Sequence, residues 1–238
     1  MDSHALLTVG ILSAIGFSSC QNELPLNGPL NGAVGGSVEF TLNNPPSAPP
    51  QGITWRFRET PIFTSIGETE LPNVVYDGRT SVNKFTASLE LRGLTQNDTG
   101  LYTVEINISG VVSQGKTSLT VFERISGAAM TITDGILIAG ESSVNLTCDA
   151  QGSNITREWR KDGNPLHGVN IDELNRTVSI SPVKKEDNGD YTCQVSNPVS
   201  SETVSKRLIV NCECQLCIGL IQAITRVLNL VEMCFVTG

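Results

Sequence analysis

The sequence predicts an all-β chain of two tandem sandwiches, on three observations. Short segments alternate in polarity at the period of a strand: in "SVNLTC", Val144, Leu146 and Cys148 share one face, and Asn145 and Thr147 share the other. One template occurs twice: "LTQNDTGLYTV" (Leu94 to Val104) and "VKKEDNGDYTC" (Val183 to Cys193) both carry Asp-x-Gly-x-Tyr, at Asp98, Gly100, Tyr102 and at Asp187, Gly189, Tyr191. In each copy a tryptophan, Trp55 or Trp159, follows the first long strand.

The second copy is the more complete. Trp159 stands 11 residues after Cys148, and Cys193 ends "DYTC", 45 residues after Cys148. Cys…Trp…Cys with a tyrosine two before the last cysteine is the signature of an immunoglobulin-like sandwich. A Cys148–Cys193 bridge should lie against Trp159, and Tyr191 should form the tyrosine corner. The spacing is short, which suits a constant-like C2 or I-type domain without an extra hairpin, over residues 127–211.

The first copy, residues 22–123, keeps the pattern and loses the bridge. Leu42 of "SVEFTL" and Val104 of "LYTV" stand where the cysteines belong, 62 residues apart and so 17 more than in the second copy. That surplus is the length of a C′–C″ hairpin and predicts a variable-type domain. Both cysteines are replaced together, so no lone thiol is stranded. A bridge over such a loop is worth about 3–4.5 kcal/mol. Burying a leucine and a valine returns about 1.5–3 kcal/mol each, with Phe40, Ile53 and Phe57 in the same core. Arg79 and Asp98, 19 residues apart, are predicted to pair across the end of this sandwich.

The apolar run "ALLTVGILSAIGFSSC" within residues 1–20 has signal-peptide length, with cleavage beside Cys20, although no Lys or Arg precedes it. A short buried helix is the alternative. Export would permit disulfides. Five N-x-[ST] sequons, Asn97, Asn107, Asn145, Asn154 and Asn175, fit the same route. The net charge of −8 argues against nucleic acid as a partner. The chain has only two histidines, His4 and His167, and no catalytic, metal or cofactor constellation is legible.

A bridge-free variable-type domain ahead of a bridged constant-like one resembles the carcinoembryonic-antigen-related cell adhesion molecule (CEACAM) family. "TQNDTGLYT" (Thr95 to Thr103) is close to that family's E–F turn, and "GRTSV" (Gly78 to Val82) resembles its strand-D entry. The resemblance implies cell-surface adhesion or recognition, of a protein ligand on another cell or of a same-family molecule, through the CFG face of the first domain. A soluble decoy or regulator of the same ligands is the alternative. Alternation assigns Thr54, Arg56 and Arg58 to that face on strand C, Thr103, Glu105 and Asn107 on strand F, and Ser118 and Thr120 on strand G. Phe63 and Ile66 fall on the C′ hairpin, as exposed binding anchors or, in the other register, as core. Two features depart from the family. Arg56 follows Trp55 where an aromatic is usual, and Asn107 puts a sequon on the face itself. A glycan there would make the chain a weak self-binder.

The tail, residues 212–238, holds Cys212, Cys214, Cys217 and Cys234. Its cysteine spacing is poor for zinc, and interchain disulfides or palmitoylation fit better. As a membrane span it is marginal, because Arg226 and Glu232 oppose its apolar residues. A helical stripe and a truncated or alternatively spliced end remain open. The sequence has three tyrosines, all within the two predicted domains, so the chain carries no cytoplasmic tyrosine motif of its own.

Overall fold

The computed structural model describes residues 22–133 and 135–211. The expectations for residues 1–20 and 212–238 lie outside the described residues. Among those described, no helix is long and apolar enough to cross a membrane.

The first sandwich is built from β1 (Asn22–Glu23), β2 (Leu30–Ala33), β3 (Ser37–Phe40), β4 (Gly52–Phe57), β5 (Thr60–Ile66), β6 (Thr69–Pro72), β7 (Thr80–Val82), β8 (Leu89–Arg92), β9 (Gly100–Ile108) and β10 (Val111–Phe122). One sheet runs β1-β10-β9-β4-β5-β6, with β2 also on β10, and the other runs β3-β8-β7. The surplus residues form the β5–β6 hairpin, as a variable-type domain requires.

Its core follows from alternation. On β9, Tyr102, Val104 and Ile106 point inward and are buried. Trp55 on β4 pairs with Val104, and its indole Nε1–H donates to the Ala87 carbonyl at 3.0 Å. Phe40 packs between Trp55 and Tyr102, with ring centroids 5.6 and 4.5 Å away. Leu42 and Val104, at the cysteine positions, are both buried. The motif glycine is needed for close approach: a Cβ on Gly100 would come within 2.8 Å of the Phe57 ring.

The second sandwich comprises β11 (Ser126–Ile132), β12 (Leu137–Ile138), β13 (Val144–Gln151), β14 (Thr156–Lys161), β15 (Asn164–Pro165), β16 (Asn170–Ile171), β17 (Thr177–Ile180), β18 (Gly189–Asn197), β19 (Ser200–Leu208) and β20 (Val210–Asn211). Its sheets are β11-β13-β17-β16 and β15-β14-β18-β19, and β12 pairs β20 in parallel. The Cys148–Cys193 disulfide joins β13 to β18. Trp159 sits opposite Cys193 in the ladder and shares its buried cluster. The Tyr191 hydroxyl donates to the Asp187 carbonyl at 3.0 Å, which is the expected tyrosine corner. Burial and the nearby Asp187 and Asp162 carboxylates push that phenol well above its ordinary range.

Candidate functional site: the outer face of the first domain

The widest surface of the first sandwich is the outer side of β10-β9-β4-β5-β6, strands G, F, C, C′ and C″. Its residues form rows because antiparallel partners point the same way. The row at the β9–β10 turn is Val112, Asn107, Gly52 and Ile66. The next is Gln114, Glu105, Thr54, Thr64 and Leu71, and the third is Lys116, Thr103, Arg56 and Pro61.

The first row and the edge carry exposed apolar side chains around Asn107: Ile66 is 67% exposed, Leu71 58% and Val112 50%. The middle is polar. Glu105 accepts from the Gln114 side chain at 3.0 Å and faces the Arg56 guanidinium at 3.5 Å. Lys116 is exposed beside them. Such a surface, part apolar and part charged, suits association with another molecule.

Parity places Thr54, Arg56, Thr103, Glu105, Asn107, Ser118 and Thr120 outward, as the alternation implies. Phe63 is a correction. It is 5% exposed and belongs to the core. An unbroken β4–β5 ladder from Phe57↔Thr60 would set Phe63 opposite outward Thr54. A register shift between Trp55 and Arg56 adds one residue, so Phe63 opposes inward Trp55 instead. The same shift turns Ile66 outward. Arg58 is a second correction. It lies beyond β4, in the two-residue turn to β5, at φ 53°, with its guanidinium 4.9 Å from the Phe57 ring centroid. Leu71, Val112, Gln114 and Lys116 were missed, although extending the parity of Ser118 and Thr120 along strand G would have found the last three.

Asp98 is 3% exposed, and its carboxylate accepts from the Thr95 backbone N–H at 2.7 Å and the Thr95 hydroxyl at 3.0 Å. The Arg79 side chain donates to the Arg92 carbonyl at 3.1 Å and lies over the Tyr76 ring. Of the sequons, Asn97 is exposed in the short 3-10 turn Gln96–Asp98 and Asn145 is exposed on β13. Asn154 and Asn175 are exposed at positive φ, 49° and 52°, outside the strands. Among the described residues no group of three or more His, Cys, Asp or Glu is placed to hold a metal ion.

Residues 26–122 match the family model of the immunoglobulin V-set domain, and residues 130–210 match that of the immunoglobulin I-set domain. HEPACAM family member 2 of Mus musculus is 28% identical over 83% of this chain and 44% of its own length. The Homo sapiens protein of that name is 30% identical over 58% of this chain and 32% of its own length. The chain thus spans less than half the length of these curated relatives. Among solved structures, murine CEACAM1b aligns with a TM-score of 0.69 at 22% identity, over 79% of this chain and 100% of that one. Bovine butyrophilin aligns with a TM-score of 0.57 at 18% identity, over 79% and 97%. At those identities the likeness is one of fold. With two immunoglobulin domains in tandem, a V-set domain that lacks its bridge and an I-set domain that keeps it, the chain belongs to the immunoglobulin superfamily.

Proposed function

We propose that this chain is an extracellular adhesion or recognition protein that binds a protein partner through the outer face of β10-β9-β4-β5-β6. The observation that carries the reading is the make-up of that face: exposed Ile66, Leu71 and Val112 beside the Arg56–Glu105–Gln114 cluster. Leu71, in the row of Glu105, supplies an apolar anchor, Ile66 and Val112 form the apolar rim of the face, and the charged cluster supplies register and selectivity. The similarity to HEPACAM family member 2 supports an adhesion role. A murine receptor of similar fold, with a TM-score of 0.67 at 22% identity, was solved in complex with a mouse coronavirus receptor-binding domain, so this architecture can present a surface to another protein. The CEACAM resemblance of "TQNDTGLYT" points the same way, as a finer family reading within the superfamily.

The test is a fluorescent tetramer of the full chain, applied to a panel of cultured cells and to cells displaying the chain itself. Arg56→Glu sets a second carboxylate beside Glu105 and should weaken binding about tenfold or more. Arg160→Glu, on the second domain, should leave it unchanged. Equal binding by the Arg56 variant and the wild type would remove this face from consideration.

A further inference from the structure

We propose that Asn107 carries an N-linked glycan whose first sugars seat in a bay walled by Val112 and Ile66 and floored by Gly52. The sugar then covers the first row of the face and confines protein docking to the rows of Glu105 and Arg56. The seat rests on an extracellular location for the chain, and the division of the face rests on the partner reading above.

Asn107 lies in one row with Val112 on one side and Gly52 and Ile66 on the other. Two strand spacings, roughly 9–10 Å, separate it from Ile66, and the position between them has no side chain. A Cβ on Gly52 would lie 3.8 Å from the Asn107 Cβ and 3.6 Å from the Ser65 carbonyl oxygen, so a larger residue there would project into the bay. The Gly110 N–H donates to Asn107 Oδ1 at 3.0 Å, which orients the amide through the atom that glycosylation does not modify. The walls are apolar and half or more exposed. The C–H face of a pyranose ring would shield them from water.

The covalent step is ordinary N-glycosylation. Asn107 Nδ2 attacks C1 of an N-acetylglucosamine-headed oligosaccharide on a lipid diphosphate. The N–C1 bond forms, the C1–O bond to the diphosphate breaks, and the amide proton leaves with the lipid diphosphate. Asn145 provides an internal contrast. It also points outward from a sheet, but its ladder partner is Ser179 and Thr133 hydrogen-bonds to its backbone, so it has hydroxyl neighbours and no apolar walls.

The experiment expresses the full chain in a glycosylating mammalian host and maps occupancy by mass spectrometry. Native deglycosylation by a peptide N-glycosidase is then followed site by site. Asn107 should be occupied and should release its glycan about tenfold more slowly than Asn145. Ile66→Ser with Val112→Ser should bring the two rates together with occupancy unchanged, and denatured protein should release both alike. Asn107→Gln should raise self-association in sedimentation. A bare Asn107, equal native rates, or a rate indifferent to the double substitution would overturn the seat. Self-association unchanged by Asn107→Gln would overturn the covering role. None of these outcomes depends on Arg56→Glu, which judges the partner reading separately.

Discussion

At the same two positions of one template, the first domain buries Leu42 and Val104 and the second joins Cys148 to Cys193. The surroundings are otherwise alike: a buried tryptophan on the next strand, an inward tyrosine and an acidic E–F turn. The difference shows what the bridge does. It restricts the unfolded chain, whereas apolar side chains add burial to the folded one. The first domain has the aromatic packing to match, with Phe40, Trp55, Tyr102 and Phe57 in one stack of rings. The second has a smaller aromatic set, Trp159 and Tyr191, around its disulfide. The motif glycine also meets different neighbours. A Cβ would strike the Phe57 ring at Gly100 and the Asp162 carboxylate, 2.6 Å away, at Gly189.

The largest effect should come from the packing side of this comparison. Trp55→Ala removes the centre of the unbridged core and the donor to Ala87, at a cost of about 3–5 kcal/mol, a large part of a domain's stability of about 5–15 kcal/mol. Calorimetry of the wild type should resolve two transitions, and the variant should lose only one. Loss of both would show that the two domains unfold as a unit and that the comparison is ill-posed.

The reciprocal change tests the bridge. Replacing Cys148 and Cys193 by alanine opens a loop of 45 residues, worth about 4 kcal/mol in the unfolded chain. The second transition should fall while the first stays in place. Peptide mapping of the wild type without reductant should find Cys148 joined to Cys193.

The E–F turn offers a finer contrast. In each domain an aspartate accepts a backbone N–H three residues before it: Asp98 from Thr95 at 2.7 Å, and Asp187 from Lys184 at 2.6 Å. Asp98 is buried and Asp187 is only partly so. Removing Asp98 leaves the Thr95 donor without its acceptor in a drier site, so Asp98→Ala should cost about 1–3 kcal/mol and Asp187→Ala about 0.5–1.5 kcal/mol. Chemical denaturation of the two variants measures both. Asp98→Asn, which keeps the shape and removes the charge, additionally tests the proposed pairing with Arg79: a loss well below that of alanine would argue against it.

Much of this was legible because it depends on residues close in sequence. Cys148, Trp159, Tyr191 and Cys193 announce their roles by spacing, and inward Tyr102 and Val104 set the parity of Glu105 and Asn107 without knowledge of any partner strand. Phe63 was illegible for the opposite reason. Its direction depends on one extra residue in the β4–β5 ladder, and a shift of one reverses every side chain beyond it. Arg58 fails similarly, because strand C ends at Phe57 and a two-residue turn takes over. The immunoglobulin superfamily was legible, and the finer family stays a resemblance for another reason. Motifs such as Asp-x-Gly-x-Tyr serve the sandwich itself, so relatives named for different roles share them.

The smallest predicted effect concerns acid and touches the second domain alone. Asp149 on β13 accepts a hydrogen bond from Arg176, and that bond, with the attraction of Arg176 and then Arg157, holds its carboxyl below the ordinary aspartate range. A carboxyl with a lowered folded pKa contributes stability above its unfolded value, near ~3.9, and loses it as pH falls through the lowered folded value. Both side chains are about half exposed, so water and salt screen the pair and the contribution is small. Asp149→Asn should therefore lower the second domain's melting temperature slightly at neutral pH. The gap from the wild type should close as pH falls from about 4 downward, and it should shrink in about 1 M salt at neutral pH. The first transition should show no difference between the two proteins. A gap that persists unchanged in acid would mean that Asp149 acts through shape or hydrogen bonding available to its protonated form, and that its charge contributes nothing to the stability of the bridged domain.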